Sequence, residues 1–276
     1  MKITKILNNN AVVVMDRNGQ EKVAIGTGIA FQKRKNDIVN PNRVEKLFVM
    51  KENEKLQLLL NRIPEEHFTI SEEIITYAEE YMGSKLNEHI HIALTDHLSY
   101  AIERVRDEIY LKNKLLNEIK VLYYKEFEIG LWAIKHIKEK LGIEMPVDEA
   151  AYIALHVHTM KLQGGDLRQT VKQTTIISDM VEMIMEFLGI HSLKEDDISY
   201  QRLITHLRFA LVRASTNEIH TMDDEMLEMI QKKFSISYDC SKKIAKRLIS
   251  SYGITLPEHE LGYITLHVER LRKQIG

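Results

Sequence analysis

One cysteine, Cys240, stands among 276 residues. That excludes an internal disulfide framework and any metal site built from several thiolates. Prolines number only four, and two of them, Pro146 and Pro257, stand just ahead of helical patterning, where proline is tolerated. Long apolar runs are missing as well. No stretch of ~18 uncharged apolar residues occurs, and the opening MKITKILNNN lacks the apolar centre of a secretory signal. The expectation is a cytosolic chain without membrane insertion. Apolar residues make up 44% and charged ones 28%, an ordinary globular composition. The length leaves room for two or more domains.

Charge of one sign is lacking only on average. The net charge is −2, yet residues 1–55 hold eleven Lys/Arg against six Asp/Glu, which leaves the remainder strongly acidic. A basic head on an acidic body fits a polyanion-binding module with something else attached, and equally a solvated basic surface. Residues 1–50 carry the β-rich runs KITKIL, AVVVM, EKVAIG and EKLFVM. Asn8-Asn9-Asn10 separates the first two, and Arg17-Asn18-Gly19, with its hairpin-forming Asn-Gly, separates the next. A small antiparallel sheet of about four strands is predicted. Its core is thin, so it needs a partner, most simply a second copy. From Lys55 the period changes to three and four residues, the mark of amphipathic helices. Thr69-Ile70-Ser71-Glu72 fits a capping box at a helix start, and residues 51–64 read as a connector.

The helical part repeats itself. GIEMPVDEAAYIALHV (142–157) and GITLPEHELGYITLHV (253–268) share Gly, Ile, Pro, Glu, Tyr, Ile, Leu, His and Val. Upstream, LTDHLSYAIER (94–104) matches LITHLRFALVR (203–213) at Leu, His, Leu, Ala and Arg. This is a tandem duplication of a helical domain. The predicted fold class is α+β multidomain, a small antiparallel β domain followed by two homologous all-α bundles. The expected division is 1–55, a linker at 56–64, then 65–170 and 171–276.

Each copy brings two matched histidines, His97 with His156 and His206 with His267. A single histidine on an apolar helix is commonly a core residue, but four in register invite chemistry: proton transfer, metal ligation or phosphoryl acceptance. Metal fits poorly. His156-x-His158 and His89-x-His91 point apart on a helix, and Glu269 replaces His158 in the second copy. Hydrolysis needs a carboxylate and nucleophile placed alike in both copies, yet Asp96 precedes His97 while Thr205 precedes His206. No catalytic residues, metal or cofactor are expected. Phosphoryl acceptance fits better, because Arg104 and Arg213 each lie seven residues after a matched histidine. Two helical turns put them on the same face, where a guanidinium can pair with phosphohistidine. An exposed surface arginine is the plain alternative. The apolar neighbours Ile153, Leu155 and Val157, with Ile264, Leu266 and Val268, are expected to anchor these helices in the cores, each pair of histidines lying together near a two-fold interface.

At KILNNNAVVV, GTGIAFQKRKND, TDHLSYAIER, ALHVHT, THLRFA and TLHVER the chain resembles the BglG family of transcriptional antiterminators over its whole length. Through LLNEIKVLYYKEFEIGLWAI and GYITLHV it is most similar to those of sucrose-utilisation genes. The resemblance implies an N-terminal RNA-binding domain, acting as a homodimer, that grips a leader-mRNA hairpin and so prevents a terminator from forming. It places RNA contacts on Lys5, Asn8, Asn10, Gly26, Gly28 and Phe31. Asn offers donor and acceptor to base edges, Phe stacks, and Gly lets the backbone approach. Asn8 to Asn10 serve equally as turn residues, and Phe31 as core. Thr27 departs from the family, in which several members carry Arg there. The resemblance also implies phosphorylation of His97, His156, His206 and His267 by HPr and by the EIIB domain of a sugar permease. A DNA-binding activator with similar regulation domains is the alternative, disfavoured by the strand patterning of residues 1–50.

Overall fold

The computed structural model describes residues 1–16, 19–48, 62–161, 166–190, 198–216 and 222–275. Strands β1 (Lys2–Asn8), β2 (Ala11–Met15), β3 (Glu21–Ile25) and β4 (Lys46–Phe48) form one antiparallel sheet in the order β1-β2-β3-β4. Alternation gives the sheet two apolar faces. Ile3, Val12, Val14 and Ala24 pack under Ile29, Ala30 and Val39 from the long connection before β4. Ala11, Val23 and Ile25 face the other way. Of the predicted β2–β3 turn, Arg17 and Asn18 lie outside the described residues, as does most of the 51–64 connector.

Helices follow: α1 (Glu65–Met82), α2 (Ile90–Arg106), α3 (Leu116–Leu122), α4 (Tyr124–Leu141) and α5 (Val147–Lys161), then α6 (Leu167–Leu188), α7 (Ile198–Thr216), α8 (Asp224–Lys233), α9 (Ser235–Tyr252) and α10 (Glu258–Ile275). The first helix corrects the capping-box expectation. It starts at Glu65 behind Pro64, with Glu65 and Glu66 in its first turn, where negative charge suits the helix dipole. Thr69 lies inside it, its hydroxyl donating to the Glu65 carbonyl at 3.0 Å.

Two compact units result, one of residues 1–113 and 125–166, the other of residues 114–124 and 167–276. In the first, Ile74, Ile90, Leu94, Leu98, Ile102, Ile129, Ile153 and Val157 are among the core residues. The free sheet face is covered within the same unit by Phe68 of α1, which is 1% exposed against Ala11, Val23 and Ile25. Burying such a ring is worth roughly 1.5–3 kcal/mol. In the second unit Ile177, Ile184, Leu203, Leu207, Ile244, Ile264 and Val268 play the matching part. Leu266 does not, contrary to expectation; it is 39% exposed. The duplication reaches the backbone. Gly142 and Gly253 end α4 and α9 at φ 69° and 67°, a left-handed cap that glycine adopts without strain. Pro146 and Pro257 then precede α5 and α10. No helix of the described residues is long and apolar enough to cross a membrane.

Candidate functional site

The first histidine pair is assembled where α2 packs on α5. His97 is held by the buried Leu94, Leu98 and Ala101 on its own helix, and His156 by Ile153 and Val157 on the other. Their ring centroids lie 4.9 Å apart, with Tyr152 5.8 Å from His97. In the second unit α7 and α10 bring His206 and His267 to 4.0 Å, nearly stacked. Residues some sixty apart in the chain therefore meet in both copies, as the matched pattern led us to expect.

Inner and outer members differ. His206 is exposed, and His97 keeps 19% of its side chain in solvent. His156 Nδ1 is shut off from solvent and makes no hydrogen bond. Burial, and then His97, push the His156 pKa down to about 3. Burial, then His206, Arg270 and Arg202, push His267 to about 4. His206 is lowered as well, first by burial and then by Arg213. These three rings are neutral at pH 7, so their nitrogens keep a lone pair for an electrophile.

Beside each pair lies an arginine–glutamate ion pair whose carboxylate is buried; Arg104 is buried too, while Arg213 is half-buried. Arg104 binds Glu149 through Nη2 in a short contact. Arg213 grips Glu260 with two bonds, Nε to Oε1 at 2.6 Å and Nη2 to Oε2 at 2.7 Å. Glu149 is fully buried and Glu260 is 2% exposed. Each sits in the first turn of its helix, where a carboxylate is favoured. Glu149 Oε2 also comes 3.4 Å from His97 Nε2. Asp96 was the wrong place to look; the matched acid arrives from the partner helix. Its signal was present as the glutamate shared by the two repeats. Arg104 is not a surface arginine either, being 7% exposed. His158 turns away to Glu126, 3.0 Å from its Oε1.

The RNA candidates gather at one end of the sheet. Asn8 Oδ1 accepts from the Asn10 amide at 2.9 Å, a turn role. Asn10 Oδ1 accepts from the Gly28 amide at 2.6 Å, and the Asn10 carbonyl accepts from Gly26 N at 2.9 Å. Gly26 is required by crowding, since a Cβ there would lie 1.7 Å from the Arg43 carbonyl oxygen. Arg43, not singled out from sequence, donates to the Gly28 carbonyl at 3.1 Å. Phe31 is 61% exposed, so it is not core, and Lys5 and Thr27 are exposed too. Asn10 Nδ2 is taken by Thr69 of α1 at 3.2 Å, and Asn9 Nδ2 by Glu65 at 3.1 Å.

Comparison with known proteins identifies the domains. The CAT RNA binding domain family matches residues 1–57, and the PRD domain family matches residues 72–159 and 178–271. Over 278 residues the chain is 37% identical to the transcription antiterminator LicT of Bacillus subtilis (strain 168), covering 99% of this chain and all of that protein. It is 36% identical to a beta-glucoside operon antiterminator of Dickeya chrysanthemi, over 100% of this chain and 98% of the other. A crystal structure of GlcT CAT-PRDI superposes with a TM-score of 0.55 at 35% identity, covering 59% of this chain and 98% of that one.

Proposed function

Because the chain belongs to the BglG family of transcription antiterminators, with a CAT RNA-binding domain and two PRD domains, we propose that it binds a leader-RNA hairpin under the control of histidine phosphorylation. The hairpin is held by the N-terminal domain, about residues 1–55, through Lys5, Asn8, Asn10, Gly26, Gly28 and Phe31, and competes with a terminator. Residues 65–170 and 171–276 are the two regulation domains. His97, His156, His206 and His267 accept phosphoryl groups from HPr and from the EIIB domain of a sugar permease. The chain is a cytoplasmic homodimer, and a regulator rather than an enzyme.

What carries the proposal is one observation made twice. In each unit a histidine pair with an accessible outer ring lies beside an arginine–glutamate pair whose carboxylate is buried. A core histidine would need neither. A phosphoryl group arriving there adds close to two negative charges beside packed helices, which biases which packing is stable.

The test is a gel shift of the full chain with a structured leader RNA against duplex DNA of the same sequence. RNA is expected to shift, with an affinity that falls as salt rises. Phe31→Ala is expected to cost roughly 1–3 kcal/mol through lost base stacking. Preference for the duplex would overturn the assignment.

A further inference from the structure

The two histidine pairs are alike in geometry and unlike in charge. On α7, Arg202 lies four residues before His206 and Arg213 seven after it. On α10, Arg270 lies three residues after His267. Such spacings share a helical face, so three guanidiniums surround the second pair. Arg202 and His206 line an open cavity of about 440 Å³ together with Lys120, Tyr124 and Thr205. The charged groups acting on His206 are Arg213, Arg202, Arg270 and the carboxylate Glu260. Glu260 is already held by both bonds of Arg213. Among the described residues neither Arg202 nor Arg270 makes an ion pair.

At the first pair these cations are missing. The repeat aligns Arg202 with Ala93 and Arg270 with Thr159. Arg104 holds Glu149 there as Arg213 holds Glu260, the second Glu149 oxygen, Oε2, lies 3.4 Å from His97 Nε2, and exposed Asp96 precedes His97 in the chain.

We infer that the second pair is an anion-holding site in which Arg202 and Arg270 retain the phosphoryl group of a phosphohistidine, whereas the first pair, lacking both, holds that group weakly. The inference rests on the phosphohistidine assignment above and adds an order to it. A phosphoryl group offers three strong acceptor oxygens to a planar guanidinium, which can bind two at once. At His206 it enters an open, cationic cavity and gains pairing with little desolvation. At His97 it meets a carboxylate, and like charges at that distance repel. A mark on the second domain therefore persists, and a mark on the first is readily returned.

The full chain is labelled with phosphoramidate. Ammonia leaves with the imidazole proton as its P–N bond breaks and a new P–N bond to the ring forms. A ³¹P NMR titration then follows each phosphohistidine, with H206A/H267A leaving the first pair's signals alone for assignment. The second pair's phosphoryl is expected to lose its last proton at least about one pH unit below the first pair's, a tenfold difference equal to about 1.4 kcal/mol. R202A/R270T exchanges two exposed side chains for those of the first site. It is expected to erase the difference while the label remains. Equal titration at both pairs, or a difference that survives R202A/R270T, overturns the inference and leaves the phosphohistidine assignment standing. Absence of phosphohistidine at either pair overturns both.

Discussion

His156 is the most perturbed of the four matched histidines, and its environment makes it an acid sensor of the fold. Its ring is neutral in the folded chain down to pH about 3, whereas the unfolded ring takes a proton near 6.5. Between those values the unfolded state binds more protons, so stability is lost as pH falls and is untouched above 6.5. The loss is about 1.4 kcal/mol per pH unit for this one group. His267, lowered to about 4 and less enclosed, adds a smaller share in the same direction after screening by solvent. Urea unfolding at pH 7.5, 6.5 and 5.5 is expected to show His156→Gln losing less stability on acidification than the parent. Identical slopes would mean the ring is protonated in the fold. The sequence disclosed these histidines and Arg104, because spacing along one helix is enough to place side chains on a face. It did not disclose that Arg104 meets Glu149. Those residues sit on different helices, and their meeting depends on how α2 packs against α5.

At the scale of elements, the four strands and most helices were legible because their periods of two and of three to four are written into the chain. The start of α1 was not. The pattern Thr69-x-x-Glu72 mimics a cap, but Pro64 followed by two acidic residues makes the earlier start better. That earlier turn matters for function. It carries Phe68 to the sheet face of Ala11, Val23 and Ile25, and it carries Thr69 to Asn10. The Asn10 Nδ2 hydrogen that donates to Thr69 is not free to donate to a base, and the bond fixes how the amide is turned. Removing one neutral hydrogen bond changes a balance by about 0.5–1.5 kcal/mol. Thr69→Val is therefore expected to raise RNA affinity of the full chain up to roughly tenfold, read by titrating a fluorescent hairpin. Unchanged or weakened binding would show that Asn10 takes no part in holding RNA, or that α1 does not compete for it.

For the whole molecule, order along the chain and membership in a compact unit part company at one place. Residues 114–124 lie within the first sequence repeat yet belong to the second unit. The bonds that hold them are specific. The Tyr123 hydroxyl meets Thr174 Oγ1 at 3.2 Å, Tyr200 donates to Glu118 at 3.4 Å, and Arg208 donates to the Leu122 carbonyl at 3.3 Å. Val121 and Leu122 pack on the second unit's core. No periodicity could have revealed this, since an amphipathic segment of seven residues does not say which core it joins. It also explains how Lys120 and Tyr124 come to line the cavity of His206. The consequence is a shared stability. Leu207 is fully buried in the second core, and Leu207→Ala is expected to cost that unit about 2–5 kcal/mol. Amide hydrogens of α3 should then exchange faster together with those of α6 and α7, as members of one cooperative unit do. Those of α4, whose Ile129, Ala133 and Ile137 are buried in the other core, should keep their protection. Hydrogen exchange read by mass spectrometry over peptides spanning 114–124 and 126–141 separates the outcomes. If α3 keeps its protection while α7 loses it, α3 belongs with the repeat in which the sequence placed it.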